Sequence, residues 1–260
     1  MFDDIVAQAD EELLSLPDAA RAEVWVSAIF GSWRQAGIAD GLDPESIDRE
    51  FLAHLIDQPS EAGLAIARAA SAMDIDGVEG VLTHLGSLHI AEPVWAHTVG
   101  TAKPTGAWSV RDLGHGVDSL IIEFVHDDGL DHSMLVEVEQ GVAVDILFGP
   151  AGLIETFRQN PDPELVAEEA AVSDVAARIG EALGRTAAEP DPTISEEFGM
   201  NIVLASSRLA ALGSDTVEMR PVVAALDIPP RDVEADAYAC LLYTSPSPRD
   251  LSTSRMPSSA

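Results

Sequence analysis

The stretch Val117–Gly149, VDSLIIEFVHDDGLDHSMLVEVEQGVAVDILFG, constrains the fold more than any other part of the chain. Three runs within it alternate apolar and polar residues with period two, the pattern of half-buried strands. Leu120, Ile122 and Phe124 share one face of the first run, and Met134, Val136 and Val138 match them on the second. Val142, Val144, Ile146 and Phe148 complete the face on the third. The spacing predicts an antiparallel meander. Its first connection reads as a five-residue loop, Asp127-Asp128-Gly129-Leu130-Asp131. Its second reads as a three-residue loop, Glu139-Gln140-Gly141, with Gly141 left-handed. That register sets Val138 opposite Val142, whereas a two-residue turn breaks the match of faces. Trp108–Arg111 supplies a fourth strand, because a short ribbon alone is marginal in water. The reverse face carries Glu123, Glu137 and Asp145 beside Ile121, Val125, Leu135 and Leu147. It reads as half-wet and acidic, as one face of an antiparallel sheet often is. The sharper alternative is a platform for a divalent cation, which would relieve repulsion between neighbouring carboxylates.

Residues 1–92 read as a helical region. Phe2–Leu14 is amphipathic, and Pro17 with Asp18 and Glu23 suits the N-terminal half of a second helix, where negative charge is favoured. Val24, Trp25, Ala28, Ile29, Phe30 and Trp33 give that helix a broad apolar face, ending at Gly37. Asp43 caps a helix with Pro44 in its first turn, and Ser60 caps an alanine-rich one. Ile75–Leu88 is a helix weakened by glycines. Residues 93–160 form the sheet region, with Lys103-Pro104-Thr105-Gly106 as a turn before the Trp108 strand. A short helix is expected around Leu153, Ile154 and Phe157. Residues 161–239 form a C-terminal helical region. In it Pro161-Asp162-Pro163 opens a helix running to about Leu183, striped by Leu165, Val172, Val175, Ile179 and Leu183. Ser195 caps a helix to Leu212, and Glu218–Pro230 is a further helical stretch. The class is therefore α+β: an N-terminal helical layer, a small antiparallel meander of three to four strands, and C-terminal helices over one sheet face.

Charge narrows the function classes. The net charge is −31, which disfavours nucleic-acid binding through phosphate neutralisation and favours a basic protein partner or a cation. Lys103 is the only lysine, and arginine and alanine dominate where alternatives exist, as in a high-GC genome. Acid excess with almost no lysine also suits a salt-adapted proteome, where net charge serves solubility. The N-terminus lacks the basic segment of a signal peptide, and no apolar run reaches the roughly 20 residues of a membrane span. With one cysteine, Cys240, no internal disulfide forms, and a cytoplasmic location is expected.

From Cys240 the composition changes to CLLYTSPSPRDLSTSRMPSSA. This stretch, residues 240–260, resembles the in-frame translation of a transposase-type sequencing-library adapter. The resemblance implies a non-native, disordered tail, with the natural chain read only to Ala239 as a truncated fragment. Residues 88–149 in turn carry Glu92-Pro93-Val94-Trp95, Trp108, His132-Ser133-Met134-Leu135-Val136 and Gly141-Val142-Ala143-Val144-Asp145. On these residues the segment resembles a family of uncharacterised proteins from high-GC Gram-positive bacteria. Family members have lysine where this chain has Val144. The resemblance implies a shared fold unit and no particular activity.

The best constellation for chemistry is His126-Asp127-Asp128-Gly129-Leu130-Asp131-His132. The histidines flank a hairpin, so their side chains can face one another. Imidazole with carboxylate suits Zn, Mn or Fe. The candidate metal ligands are His126, Asp128, Asp131 and His132, with Glu123, Glu137 and Asp145 from the strands. Asp and Gly are also ordinary hairpin residues, so a plain structural turn explains the same pattern. His132 with Asp145 and Glu137 is a possible acid–base group, but the chain has no G-x-S-x-G, H-E-x-x-H or P-loop motif. The leading expectation is a non-catalytic cytoplasmic interaction or regulatory protein. The alternative is a metal-dependent hydrolase or metal-binding protein using the His126–His132 loop.

Overall fold

The computed structural model describes residues 1–39, 43–155, 164–189 and 192–213. The expected helix at Glu218–Pro230 and the adapter-like tail lie outside them, as does most of the stretch around Phe157 where a short helix is expected. The chain order is α1 (Phe2–Glu11), a 3-10 turn (Leu13–Ser15), α2 (Ala19–Ala39), α3 (Pro44–Asp57), α4 (Glu61–Ala70) and α5 (Val78–Ser87). A second 3-10 turn (Ala96–Thr98) leads into β1 (Lys103–Asp112), β2 (Val117–Val125), β3 (Asp131–Glu139) and β4 (Val142–Pro150). β5 (Leu165–Glu169), α6 (Val172–Ala188) and α7 (Glu196–Ala211) follow. The five strands form one antiparallel sheet in the order β4-β3-β2-β1-β5. The α+β architecture, with helices at both ends of the chain, is as the patterning predicts.

Local chemistry sets most helix starts. The Asp43 side chain accepts the Glu45 N–H, and Pro44 occupies the first turn of α3. Ser60 and Ser195 accept the N–H groups of Gly63 and Phe198. Asp18 accepts the Arg21 N–H at the start of α2. Each satisfies an orphan donor of a helix end. α2 runs on to Ala39, past the expected stop at Gly37.

The meander departs from expectation at its turns. The first loop closes on three residues, Asp127-Asp128-Gly129, because His126 N–H donates to Leu130 O at 3.0 Å and Gly129 has φ +80°. The second is a two-residue turn, Gln140-Gly141, in which both residues have positive φ and Glu139 lies opposite Val142. Such turns match the natural twist of a hairpin. The short turn does break the apolar register, and a bulge repairs it. Pairing shifts between Glu137 and Val138, so Val138 faces Ala143 and Glu137 faces Asp145, with Val144 as the extra residue. Ala143 therefore takes the inward place expected of Val142 and Val144. Beyond the bulge Ile146 and Phe148 face the core as predicted.

Two further corrections concern β1 and β5. Lys103–Gly106 is not a turn but the first part of β1, with an irregularity between Pro104 and Gly106. Leu165–Glu169 is not helical but an edge strand on β1, and the helix begins only at Val172. An i to i+7 match between Leu165 and Val172 mimics helical spacing. The open side of β1 offers this segment a backbone ladder instead.

The helix-facing side of the sheet carries the row Ala107, Ile122, Met134 and Phe148. It belongs to one core with the N-terminal helices, α6 and α7. The reverse side is drier than expected: Val110, Ile121, Leu135 and Leu147 are all buried. After β4 the chain turns back, Gly152 N–H donates to Glu123 Oε1 at 3.2 Å, and Ile154 is buried. No helix among the described residues is long and apolar enough to cross a membrane.

α2 and α7 cross at unusually short range. A Cβ at Gly31 would stand 2.1 Å from Gly199 O, and the Ser27 hydroxyl bridges Met200 O (2.9 Å) and Leu204 N (3.1 Å). Gly31→Ala should therefore destabilise the protein by about 3 kcal/mol, since backbone atoms must separate. Gly80→Ala meets nothing within 4 Å and should instead stabilise α5 by up to about 1 kcal/mol. Urea unfolding of the two variants reads both signs.

Candidate functional site

The β2–β3 hairpin brings His126 and His132 together, their ring centroids 5.0 Å apart at an interplanar angle of 33°. Both point into the core and are buried. The other residues of the sequence-derived set lie elsewhere. Asp128 Oδ1 accepts the Leu130 N–H at 3.0 Å and shapes the turn. Asp131 begins β3 as an exposed residue opposite Val125. Glu123 and Glu137 lie on the reverse face, where strand alternation puts them. Asp145 sits at the bulge, accepting the Ile146 N–H at 2.8 Å and the Ser195 hydroxyl. Thus the sheet itself separates the histidines from the strand carboxylates. Among the described residues, no group of three or more His, Cys, Asp or Glu is placed to hold a metal ion.

The histidines are joined by two residues that the sequence reading did not single out for a site. Glu23, fully buried on α2, directly contacts the guanidinium of Arg208 on α7 through Oε2. The same oxygen lies 3.3 Å from His126 Nε2, and Oε1 accepts the Gly100 N–H at 2.8 Å. A carboxylate only accepts, so His126 Nε2 carries the hydrogen in this contact. Glu23 had suggested an acid placed for the helix dipole. The available signal was its company: Glu23 adjoins the apolar face of α2, and Arg208 lies between Leu204, Ala205 and Leu209. A charge inside an apolar stripe needs a buried partner.

His132 differs from His126. Its ring stacks on Phe124 (5.3 Å, 15°), and neither ring nitrogen has a hydrogen-bond partner. Burial pushes its pKa down to about 3, helped by the positive charge of Arg208 and by His126. The Arg208 guanidinium also lies 5.8 Å from the Phe124 ring centroid. Arranged this way, the cluster is a structural lock with a neutral histidine packed against it.

A second feature is the outer edge of β5. The backbone bonds Ala170 N–H to Ala107 O and Leu113 N–H to Glu164 O bracket its pairing with β1. Antiparallel alternation then turns the N–H and C=O groups of Leu165, Ala167 and Glu169 outward. No strand pairs with that side among the described residues. Glu168 and Glu169 are exposed there, as are Val166 and, at the adjoining turn, Leu113.

No family model, curated protein or solved structure matches the chain, so its function is argued from its own geometry.

Removing one member of the buried lock strands a charge. Glu23→Ala should cost about 3–5 kcal/mol of stability in denaturant unfolding. His132→Phe should be neutral or stabilising at pH 7, because it removes two unpaired buried nitrogens. Its pH response has a definite sign. The folded-state pKa of about 3 lies below the ordinary 6.5, so as pH falls the unfolded chain takes up the proton first. The stability associated with the neutral ring is complete above about pH 6.5 and is lost progressively toward pH 3. The stability difference between His132→Phe and the parent should therefore grow in favour of the variant as pH drops from 7 to 5, read from urea midpoints.

Proposed function

We propose that the protein is a non-catalytic interaction or regulatory protein of the cytoplasm, and that it captures a basic, extended peptide segment as an added strand on β5. The observation that carries this reading is the outer side of β5, unpaired among the described residues, where outward backbone groups coincide with the exposed carboxylates of Glu168 and Glu169. In strand addition, main-chain hydrogen bonds supply affinity and flanking side chains select the partner. Here the selection is for Lys and Arg, and the chain's net charge of −31 steers such a partner inward. Exposed Val166 and Leu113 give apolar residues of the incoming strand something to cover.

The test uses a fluorescent decapeptide alternating Arg and Val, with a Glu/Val peptide as control. The basic peptide should bind, more weakly as salt rises, and the acidic one should not. Ala167→Pro removes an outward N–H while leaving the inward ladder to β1 intact. It should weaken binding by about tenfold or more, the equivalent of roughly 1.4 kcal/mol or more. Binding that ignores Ala167→Pro, or the charge of the peptide, would overturn the reading.

A further inference from the structure

A cleft lies away from both features, between α6 and the end of the sheet. It encloses about 320 Å³ and is lined by Arg178, Glu181, Ala182 and Arg185 of α6, with Leu120, Val138 and the Gln140-Gly141 turn opposite. That volume is at the small end of small-molecule sites. α6 is pinned at both ends of the cleft. Thr186 Oγ donates to Ala143 O (2.9 Å) and accepts Ala143 N–H (3.0 Å). Arg178 donates to Ser109 Oγ (2.9 Å) and Asp118 Oδ2 (3.0 Å). The walls are therefore held before any ligand arrives.

The cleft gathers cations in a chain that has few. Arg178 and Arg185 line it, and Arg111 reinforces it through Asp118 at 3.6 Å. The carboxylates facing these guanidiniums are Asp118 and Glu181, the latter 3.3 Å from Arg185. Arg178 and Arg185 are two turns apart on one face of α6, so their Cα atoms are separated by about 10 Å along the axis. Between them the floor is apolar: Leu120, Val138 and Ala182 are all buried. Gly141 completes the shape. A Cβ there would stand 2.3 Å from a nitrogen of Arg185, so only glycine lets the guanidinium lie across the turn.

We infer that this cleft binds a small elongated organic dianion of about eight carbons in all, with a carboxylate at each end and an apolar middle of about six methylenes, matched to the roughly 10 Å between the two arginines. Each terminal carboxylate takes one guanidinium, for which the planar fork is suited. The alkyl chain lies over Leu120, Val138 and Ala182.

The test titrates octanedioate, octanoate and inorganic phosphate into the full chain, followed by calorimetry and amide chemical shifts. Octanedioate should bind at least about tenfold more tightly than octanoate or phosphate, as expected from a second charged contact. Arg185→Gln should weaken octanedioate by about tenfold, while Glu181→Gln, which removes the carboxylate competing for Arg185, should tighten it. Both side chains are more than half exposed, at 56% and 70%, so the fold should survive, as circular dichroism can verify. Ala167→Pro should leave octanedioate binding unchanged, which separates this site from the β5 edge. Equal affinity for octanedioate and octanoate, no binding of octanedioate, or indifference to both α6 substitutions would overturn the inference.

Discussion

The arrangement depends on one buried carboxylate. Glu23 is wholly removed from water, and an ionised carboxylate in that position is tolerated only with full compensation. The fold supplies Arg208 from α7, His126 from the hairpin, and an amide from Gly100. Each donor comes from a different part of the chain, so the carboxylate fixes where those parts meet. A hydrophobic pair of the same shape could be equally stable. What the charged pair adds is exclusivity: a slip of α7 along α2 leaves a charge without its partner. The close contact at Gly31 and Gly199, and the Ser27 hydroxyl between Met200 and Leu204, enforce the same alignment by shape and hydrogen bonding.

The two edges of the sheet are treated differently. β4 is blunted by its bulge, and Ser195 N–H donates to Val144 O at 2.9 Å, so part of its outer side is already occupied. On β5 the described residues provide no such cover, and the exposed Glu168 and Glu169 put negative charge along that edge. Carboxylates on an edge deter neutral and acidic strands while admitting basic ones. The cleft along α6 uses the opposite sign of charge, placing scarce arginines over an apolar floor.

What the sequence made legible was local. Period-two alternation identified β2, β3 and β4, and the capping side chains of Asp43, Ser60 and Ser195 marked three helix starts. The hairpin position of His126 and His132 was also readable. What escaped depended on partners distant in sequence. The Gln140-Gly141 turn looked wrong because its cost to the register is repaired by a bulge further along β4. β5 looked helical because its pairing with β1 spans dozens of residues. Glu23 looked like a helix-dipole acid because Arg208 lies far down the chain. The hairpin spacing groups the histidines with Glu123 and Glu137 as candidate ligands, but strand alternation sends those carboxylates to the other face of the sheet.

The separation of Glu23 and Arg208, 185 residues along the sequence, bears on the order in which the molecule can be completed. While the chain is being synthesised, α2 emerges early and its carboxylate has no guanidinium to meet. The N-terminal helices can collapse only loosely until α7 leaves the ribosome, since closing earlier would bury an unmatched charge. Final packing is therefore deferred to the arrival of the last described helix. A nascent chain stalled before Arg208 should still be an open substrate for chaperones and proteases.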